Sequence, residues 1–217
     1  MQNKYPKIKY LPWSHGVSKG DKIANNVDFL LGAPIVIQEK VDGSNCSIQA
    51  DNCYARTHSH TPTHSSFDWV KGLHALIRHK IPPNVQLFGE NLFAQKAIAY
   101  NNLPGYFLLF GIRFLGDEYW ADWDYVVERG RDLNIPTVPV LWQGRVESEN
   151  ELKMITERLA AQKSVYGEER EGVVVRLASG FKDIDFSKSI FKIVRKNHVQ
   201  PNEKHWASKS IIKNGLK

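Results

Sequence analysis

Short apolar and β-branched runs bounded by turn residues recur along the chain, and this pattern is typical of strands. Ile35 to Gln38 is one such run, and two more, Cys46 to Gln49 and Cys53 to Arg56, flank the turn residues Asp51 and Asn52. The same pattern predicts further strands at Val85 to Phe88, Tyr106 to Phe114, Val138 to Trp142, Val173 to Leu177 and Phe191 to Arg195.

Helical periodicity is less frequent. After Ser66, apolar residues recur three and four positions apart at Trp69, Val70, Leu73, Leu76 and Ile77. Ser65 or Ser66 is placed to cap the first turn of this amphipathic helix. Further helices are predicted near Asp122 to Asn134 and Glu149 to Ala161. Because strands outnumber helices without regular alternation, we expect an α+β fold of mainly antiparallel sheets flanked by helices, not a doubly wound parallel sheet.

Composition and length suit one packed domain over residues 1–217. Hydrophobic residues make up 42% and charged residues 24%, so neither a disordered chain nor a disulfide scaffold is indicated. No repeat or Gly/Ser linker divides the sequence. Cys46 and Cys53 are the two cysteines, and we expect both to be free thiols without a chemical role.

The N-terminal sequence MQNKYPKIKYLPW lacks the apolar stretch of a signal peptide, and no segment approaches the length of a membrane span. We therefore expect a cytoplasmic protein without membrane contact. The net charge of +6 and the pI near 9.2 favour a polyanionic partner such as nucleic acid, through neutralisation of its phosphates.

The segment Glu39 to Asn45 carries the clearest candidate chemistry, because it places Lys40 at the end of an apolar strand. Burial and a second nearby cation would lower the pKa of such a lysine and leave a nucleophilic amine. Asp42 could bind backbone donors, and Gly43 would allow a tight turn. Taken alone, the tetrapeptide Lys40 to Gly43 is more typical of a solvated lysine before a turn.

The rest of the chain changes this interpretation, because five motifs follow in order from Glu39 to Arg195. They are KVDG at Lys40, FGEN at Phe88 to Asn91, YFLLFG at Tyr106 to Gly111, EGVVV at Glu171 to Val175 and FKIVR at Phe191 to Arg195. In this order they resemble the covalent nucleotidyltransferase superfamily of ATP-dependent ligases and capping enzymes. The resemblance implies a nucleotidyltransferase fold in which Lys40 carries AMP.

The same resemblance implies a role for each motif residue. Glu39 and Arg56 would lie in the ATP site, Glu90 would hold the ribose, and the ring of Phe110 would stack on the purine. Glu171 would face the metal and contact it through water, and Lys192 and Arg195 would contact the phosphates. Many relatives have a lysine two positions after the first one in the last motif, whereas this chain has Val194 there.

The segments YPKIKYLPWS, GENLFAQKAIAY and KIVRKNHVQPNEKHW resemble a group of short RNA ligases, so the likeness extends over nearly the whole chain. The residues after Arg195 are too few for a C-terminal OB-type domain such as DNA ligases and capping enzymes normally carry. The resemblance implies ATP and Mg²⁺, with Mn²⁺ as an alternative ion, and RNA with 5′-phosphate and 3′-hydroxyl ends.

The sequence also leaves other hypotheses about function open. The same lysine chemistry could serve a DNA ligase or a GTP-using capping enzyme, and the chain could be a catalytically silent RNA-binding module. A ligase that needs a partner protein to capture RNA is a third alternative.

Two polar segments outside the motifs are weaker candidates. His58, His60 and His64 form a Ser/Thr/Pro-rich stretch that is more typical of a polar loop than of a metal site. Near the C-terminus, His205 and Trp206 could contact RNA or pack a terminal helix. The nearby lysines could form a phosphate track or a solvated face, and they are Lys196, Lys204, Lys209, Lys213 and Lys217.

Overall fold

The computed structural model describes residues 4–15, 17, 20–56, 61–195 and 211–217. Within these residues the helices are α1 (Asp68–Ile77), α2 (Trp123–Asp132), α3 (Glu149–Ala160) and α4 (Phe186–Ser189). The strands are β1 (Lys9–Tyr10), β2 (Ile35–Lys40), β3 (Ser44–Ile48), β4 (Cys53–Ala55), β5 (Val85–Asn91), β6 (Phe107–Phe114), β7 (Tyr119–Trp120), β8 (Val140–Gly144), β9 (Gly172–Leu177), β10 (Phe181–Lys182) and β11 (Ile190–Val194).

The strands form two sheets. The first has the order β1-β11-β9-β2-β8 and the second has the order β10-β7-β6-β5-β3-β4. All named strand pairs are antiparallel except β1 with β11. The expected α+β fold of mainly antiparallel sheets with helices is therefore confirmed.

Strand β2 contributes side chains to two different hydrophobic clusters, because successive residues of a strand face opposite sides of its sheet. Ile35 and Ile37 pack in the cluster that contains Leu152 and Leu159 of α3. Val36 packs in the cluster of the second sheet. The alternation places Gln38 and Lys40 on the same face as Val36, toward the space between the sheets.

The predicted strands and helices agree with the structure to within a few residues. Strands β1, β7 and β10 were not predicted, since each has only two residues and shows no periodicity. The predicted serine cap was wrong. His64 caps a short 3-10 turn, Ser65–Phe67, that leads into α1, and its Nδ1 accepts a hydrogen bond from the Ser66 amide at 3.2 Å.

Cys46 and Cys53 are both buried free thiols, as expected. Among the described residues, no helix is long and apolar enough to cross a membrane. That residues 1–217 form one domain without an OB-type domain stays a prediction.

Candidate active site

A cavity of about 610 Å³ lies between the two sheets, and both sheets contribute to its lining. Its apolar and aromatic lining includes Tyr5, Ile8, Phe110, Val138 and Val174. Its charged lining includes Lys40, Arg56, Glu90, Lys96, Glu171 and Lys192. Charged groups from both sheets are thus gathered around one cavity.

Lys40, the last residue of β2, lies opposite Gly172 of β9, so pairing of these two strands places it beside Glu171. Its Nζ lies 2.7 Å from Oε2 of Glu171, with side-chain exposures of 25% and 9%. Burial favours the neutral amine, but the carboxylates of Glu171 and Glu90 outweigh it and raise the pKa of Lys40 above its ordinary value. The expectation of a lowered pKa was therefore wrong for the protein without nucleotide, because the nearest charges are negative.

Asp42 fixes the loop that follows Lys40. Its Oδ2 accepts hydrogen bonds from the amides of Ala97 at 2.9 Å and Ile98 at 3.0 Å. Its own amide donates to the hydroxyl of Tyr100 at 2.8 Å. The predicted binding of backbone donors by Asp42 is confirmed.

The chain bends at Gly43 between β2 and β3, as expected, but close packing and not backbone conformation requires a glycine there. Positive φ angles occur at Gly20 and Gly32 among the described glycines and not at Gly43. A Cβ at position 43 would instead lie 2.6 Å from the carbonyl oxygen of Asn91 and 2.8 Å from Cγ of Glu90. The glycine therefore permits close packing of the nucleophile loop against β5.

Glu90 is half-buried on β5, opposite Asn45 of β3, and lines the cavity. Burial raises the pKa of Glu90 to about 8, an effect that the positive charge of Lys40 partly offsets and the carboxylates of Glu171 and Asp42 reinforce. The FGEN carboxylate predicted from sequence is thus close enough to Lys40 for their charges to interact.

Phe110 and Val174 line the cavity from the two different sheets. Phe110 is half-buried, and its ring meets the ring of Tyr5 edge-on with a centroid distance of 5.0 Å. A flat apolar group between Phe110 and Val174 would therefore contact one residue from each sheet.

Lys192 of β11 lies opposite Val174 of β9 and also lines the cavity. Its Nζ lies 3.6 Å from Oδ2 of Asp21 and 4.0 Å from the centre of the Tyr10 ring. Burial and the charge of Lys40 lower the pKa of Lys192. Two cations, Lys40 and Lys192, thus face the same space, which is a favourable arrangement for a polyphosphate.

Glu39 lines the cavity with its main chain, because its side chain has no exposed surface. Its carboxylate accepts hydrogen bonds from the hydroxyl of Ser164 and from the amide of Val165, the latter at 3.0 Å. The buried guanidinium of Arg170 lies 3.4 Å from it. Glu39 can therefore contact a nucleotide only through main-chain atoms.

The two predicted arginines lie in different surroundings. Arg56, just after β4, is exposed and lines the cavity. Arg195 follows β11, and its guanidinium pairs with the carboxylate of Glu169 instead of lining the cavity. Its amide donates to the carbonyl of Glu171 at 3.0 Å. A phosphate contact by Arg195 stays a prediction.

The cavity lining also contains residues that sequence reasoning did not assign to the site, among them Lys96, Val174 and Arg176. The period of two along β9 could have identified Val174 and Arg176 as residues of one face. Arg176 is buried, burial lowers its pKa to about 10, and its Nη2 donates to the carbonyl of Ala121 at 2.7 Å. Nothing in the local pattern around Lys96 identifies it.

Within the described part of the chain, no three His, Cys, Asp or Glu side chains are arranged to hold a metal ion by themselves. Glu171 is one carboxylate at the cavity beside Lys40. This donor set fits Mg²⁺ as it is commonly bound with nucleotides, through one or two carboxylates, phosphate oxygens and water.

Most of the weaker candidates lie outside the described residues. They are His58, His60, Lys196, Lys204, His205, Trp206 and Lys209. His64 is described and caps a turn. Lys213 lies over the ring of Phe93 at 5.2 Å, and Lys217 is exposed.

Comparison with solved structures shows the same fold in several ligases. A protein from Aquifex aeolicus assigned as an ATP-dependent DNA ligase has a TM-score of 0.56 at 21% identity, covering 88% of this chain and 49% of that one. An archaeal ATP-dependent RNA ligase has a TM-score of 0.55 at 16% identity, covering 88% and 47%. A mutant Naegleria gruberi RNA ligase with ATP and Mn has a TM-score of 0.52 at 15% identity, covering 88% and 60%.

This chain thus spans about half the length of the solved structures that it matches. A search of curated proteins found no match. The sequence profile of the RNA ligase family matches residues 33–194, which include the cavity residues from Gln38 to Lys192. The chain therefore belongs to the RNA ligase family.

Proposed function

We propose that this chain is an ATP-dependent RNA ligase that forms a lysyl-AMP intermediate on Lys40. The observation that carries the proposal is the position of Lys40, whose amine lies in the intersheet cavity 2.7 Å from Glu171. Membership of the RNA ligase family supports an RNA substrate.

The cavity offers a complementary group for each part of ATP. The adenine ring would lie between Phe110 and Val174, with the main chain of Glu39 at its edge. Glu90 would bind the ribose hydroxyls, and Lys192 and Arg56 would bind the phosphates, so that binding energy is spent on positioning the α-phosphate. Arg195 would join them if ATP draws it away from Glu169.

In the first step the ammonium of Lys40, whose pKa the nearby carboxylates raise, gives one proton to solvent, and the neutral amine then attacks the α-phosphorus of ATP. A nitrogen–phosphorus bond forms, the bond from the α-phosphorus to the bridging oxygen of the β-phosphate breaks, pyrophosphate leaves, and the amine nitrogen loses a second proton to solvent. Mg²⁺, or Mn²⁺, bound near Glu171 through water would neutralise phosphate charge. The ammonium of Lys192 would favour the departure of pyrophosphate by neutralising part of its negative charge.

In the second step an oxygen of an RNA 5′-phosphate attacks the phosphorus of the bound AMP, and the bond to Lys40 breaks. In the third step an RNA 3′-hydroxyl attacks the activated 5′-phosphate, AMP leaves and the strand is joined. The positive charge of the protein favours a nucleic-acid acceptor through phosphate neutralisation.

The test is covalent labelling with ATP that carries the label at the α-phosphate, with labelled GTP as the comparison. Wild type is run beside Lys40→Ala and beside Lys153→Ala, an exposed lysine of α3 that serves as the matched control. We expect ATP to label the wild type and the Lys153→Ala variant through a bond that survives denaturation, and Lys40→Ala to stay unlabelled.

The other outcomes identify the alternatives. Labelling by GTP would favour a capping-type enzyme, and joining of DNA ends in preference to RNA ends would favour a DNA ligase. Labelling without joining of any ends would favour a ligase that needs a partner protein for RNA capture. No labelling, even after pyrophosphate treatment to remove bound AMP, would favour an RNA-binding module.

A further inference from the structure

The segment 211–217 packs along the loop that connects β5 to β6, where it forms main-chain hydrogen bonds. The amide of Gln95 donates to the carbonyl of Ile212 at 2.8 Å, and the amide of Gly215 donates to the carbonyl of Tyr100 at 2.7 Å. The amide of Leu103 donates to the carbonyl of Gly215, and the amide of Lys217 donates to the carbonyl of Leu103, each at 3.0 Å. We call residues 211–217 the C-terminal strap.

Asn214 is the buried residue of this strap, with 3% of its surface exposed. Its Oδ1 accepts from the amide of Tyr100 at 2.9 Å, and its Nδ2 donates to the carbonyl of Leu92 at 2.8 Å. The side chain therefore connects the two ends of the loop 92–100. An amide suits this position because it supplies one donor and one acceptor in fixed geometry.

The loop that Asn214 closes is the loop that holds Asp42. The amides of Ala97 and Ile98 donate to the Asp42 carboxylate, and the Tyr100 hydroxyl accepts from the Asp42 amide. Leu92 directly follows the strand that carries Glu90. Contacts thus run without a gap from Asn214, through the loop 92–100, to a residue two positions after Lys40.

We propose that Asn214 is a positioning residue for Lys40, acting through Tyr100 and Asp42. Only the expected effect on the rate of Lys40 adenylylation rests on the proposed function. Asn214 itself does not line the cavity. Its loss should therefore leave ATP binding intact while the nucleophile loop is held less firmly.

The experiment compares wild type with Asn214→Asp, which keeps an acceptor for the Tyr100 amide but removes the donor to Leu92. Asn150→Asp, at an exposed asparagine of α3, is the matched control. ATP affinity is measured separately from the rate of Lys40 adenylylation at saturating ATP. Hydrogen exchange of individual amides is measured without nucleotide.

We expect the adenylylation rate of Asn214→Asp to fall by about tenfold or more with ATP affinity unchanged, since small displacements of a reacting group have effects of this size. The amides of Ala97 and Ile98 should exchange faster, whereas the amides of Val173 and Val175 in β9 keep their protection. Tyr100→Phe, which removes the acceptor of the Asp42 amide and leaves the strap intact, should lower the rate similarly. The double variant should be no slower than the slower single variant.

Unchanged exchange at Ala97 and Ile98, or an equal acceleration at all amides, would overturn the proposal. So would an unchanged adenylylation rate or a loss confined to ATP affinity. If the wild type is not labelled by ATP, the proposed function fails, and the exchange data by themselves decide whether Asn214 holds the Asp42 loop.

Discussion

Lys40 at the end of β2 and Glu171 directly before β9 form a close pair, with 2.7 Å between Nζ and Oε2, although they lie 131 positions apart along the chain. Pairing of Lys40 with Gly172 between β2 and β9 creates this contact. The carboxylate therefore fixes the direction of the amine at the cavity before any nucleotide binds.

Replacement of Glu171 by glutamine should slow adenylylation of Lys40 on the order of 10²-fold, because the amine loses the charged partner that orients it. Single-turnover labelling with ATP measures the rate. Glu168→Gln, at an exposed carboxylate three residues earlier, should behave as wild type. Equal rates for Glu171→Gln and wild type would contradict the orienting role.

Gly43→Ala should lower the free energy of unfolding by about 1–3 kcal/mol, because the added methyl group overlaps the Asn91 carbonyl. Labelling of Lys40 should fall with it. Gly72→Ala on α1 is the control, since its Cβ would meet no atom within 4 Å. That variant should be unchanged or more stable by up to about 1 kcal/mol. Denaturant unfolding measures both, and equal stabilities would refute the packing argument.

Phe110→Leu should weaken ATP binding by about 1–3 kcal/mol if the ring stacks on the base. Calorimetric titration in a Lys40→Ala background measures affinity without reaction. Phe114→Leu, on the same strand but packed against Tyr125, is the control and should bind ATP normally. Identical affinities of the two variants would remove Phe110 from the base site.

Lys192→Ala should lower the rate of pyrophosphate release more than Arg195→Ala does, because Lys192 lines the cavity and Arg195 pairs with Glu169. Single-turnover release measured across ATP concentrations separates affinity from rate. Losses of equal size would indicate that Arg195 leaves Glu169 and contacts the phosphates when ATP binds.

The raised pKa of Glu90 predicts a pH dependence of stability in the absence of nucleotide. The pKa of Glu90 is about 8 in the folded protein, whereas its ordinary value is 4.5. The folded state therefore holds the proton more tightly than the unfolded state does. Stability from the protonated carboxyl is complete below the ordinary pKa and is lost as pH rises through about 8. Glu90→Gln resembles the protonated form, so its advantage over wild type should grow with pH.

Urea unfolding between about pH 5 and pH 9 measures this difference, which should increase by about 1 kcal/mol or more. Glu128→Gln, at an exposed carboxylate of α2, should show a difference that is independent of pH. A constant difference for Glu90→Gln as well would show that burial does not perturb the carboxyl.

Much of the site was predictable because its residues follow strand patterns. Lys40 ends an apolar run, and the motif order indicated Glu90, Phe110, Glu171 and Lys192, all of which line the cavity. Arg195 was predicted from the same motif as Lys192, but it lies beyond the end of β11 and turns to Glu169. Motif position alone therefore did not determine which side chain faces the cavity.

The direction of the Lys40 pKa shift could not be predicted for a related reason. Burial was expected to lower it, whereas the sum of nearby charges raises it. That sum depends on Glu90, which lies on β5, and on Glu171, which directly precedes β9. Glu39 was predicted to contact the nucleotide through its backbone, and this contact stays a prediction. The pairing of its side chain with the buried Arg170 was not predicted, because the two residues are far apart in the sequence.

The sequence by itself determined the longer strands, the helices α1, α2 and α3, and the residue types available for chemistry, because periodicity and turn propensity act over a few residues. Tertiary structure decided that the strands form two sheets with a cavity between them, that Asp42 meets Tyr100, and that Asn214 closes the loop 92–100. These contacts join residues 58 and 114 positions apart. They arise from packing of the whole chain, in which burial makes each buried polar group require a partner that no local pattern specifies.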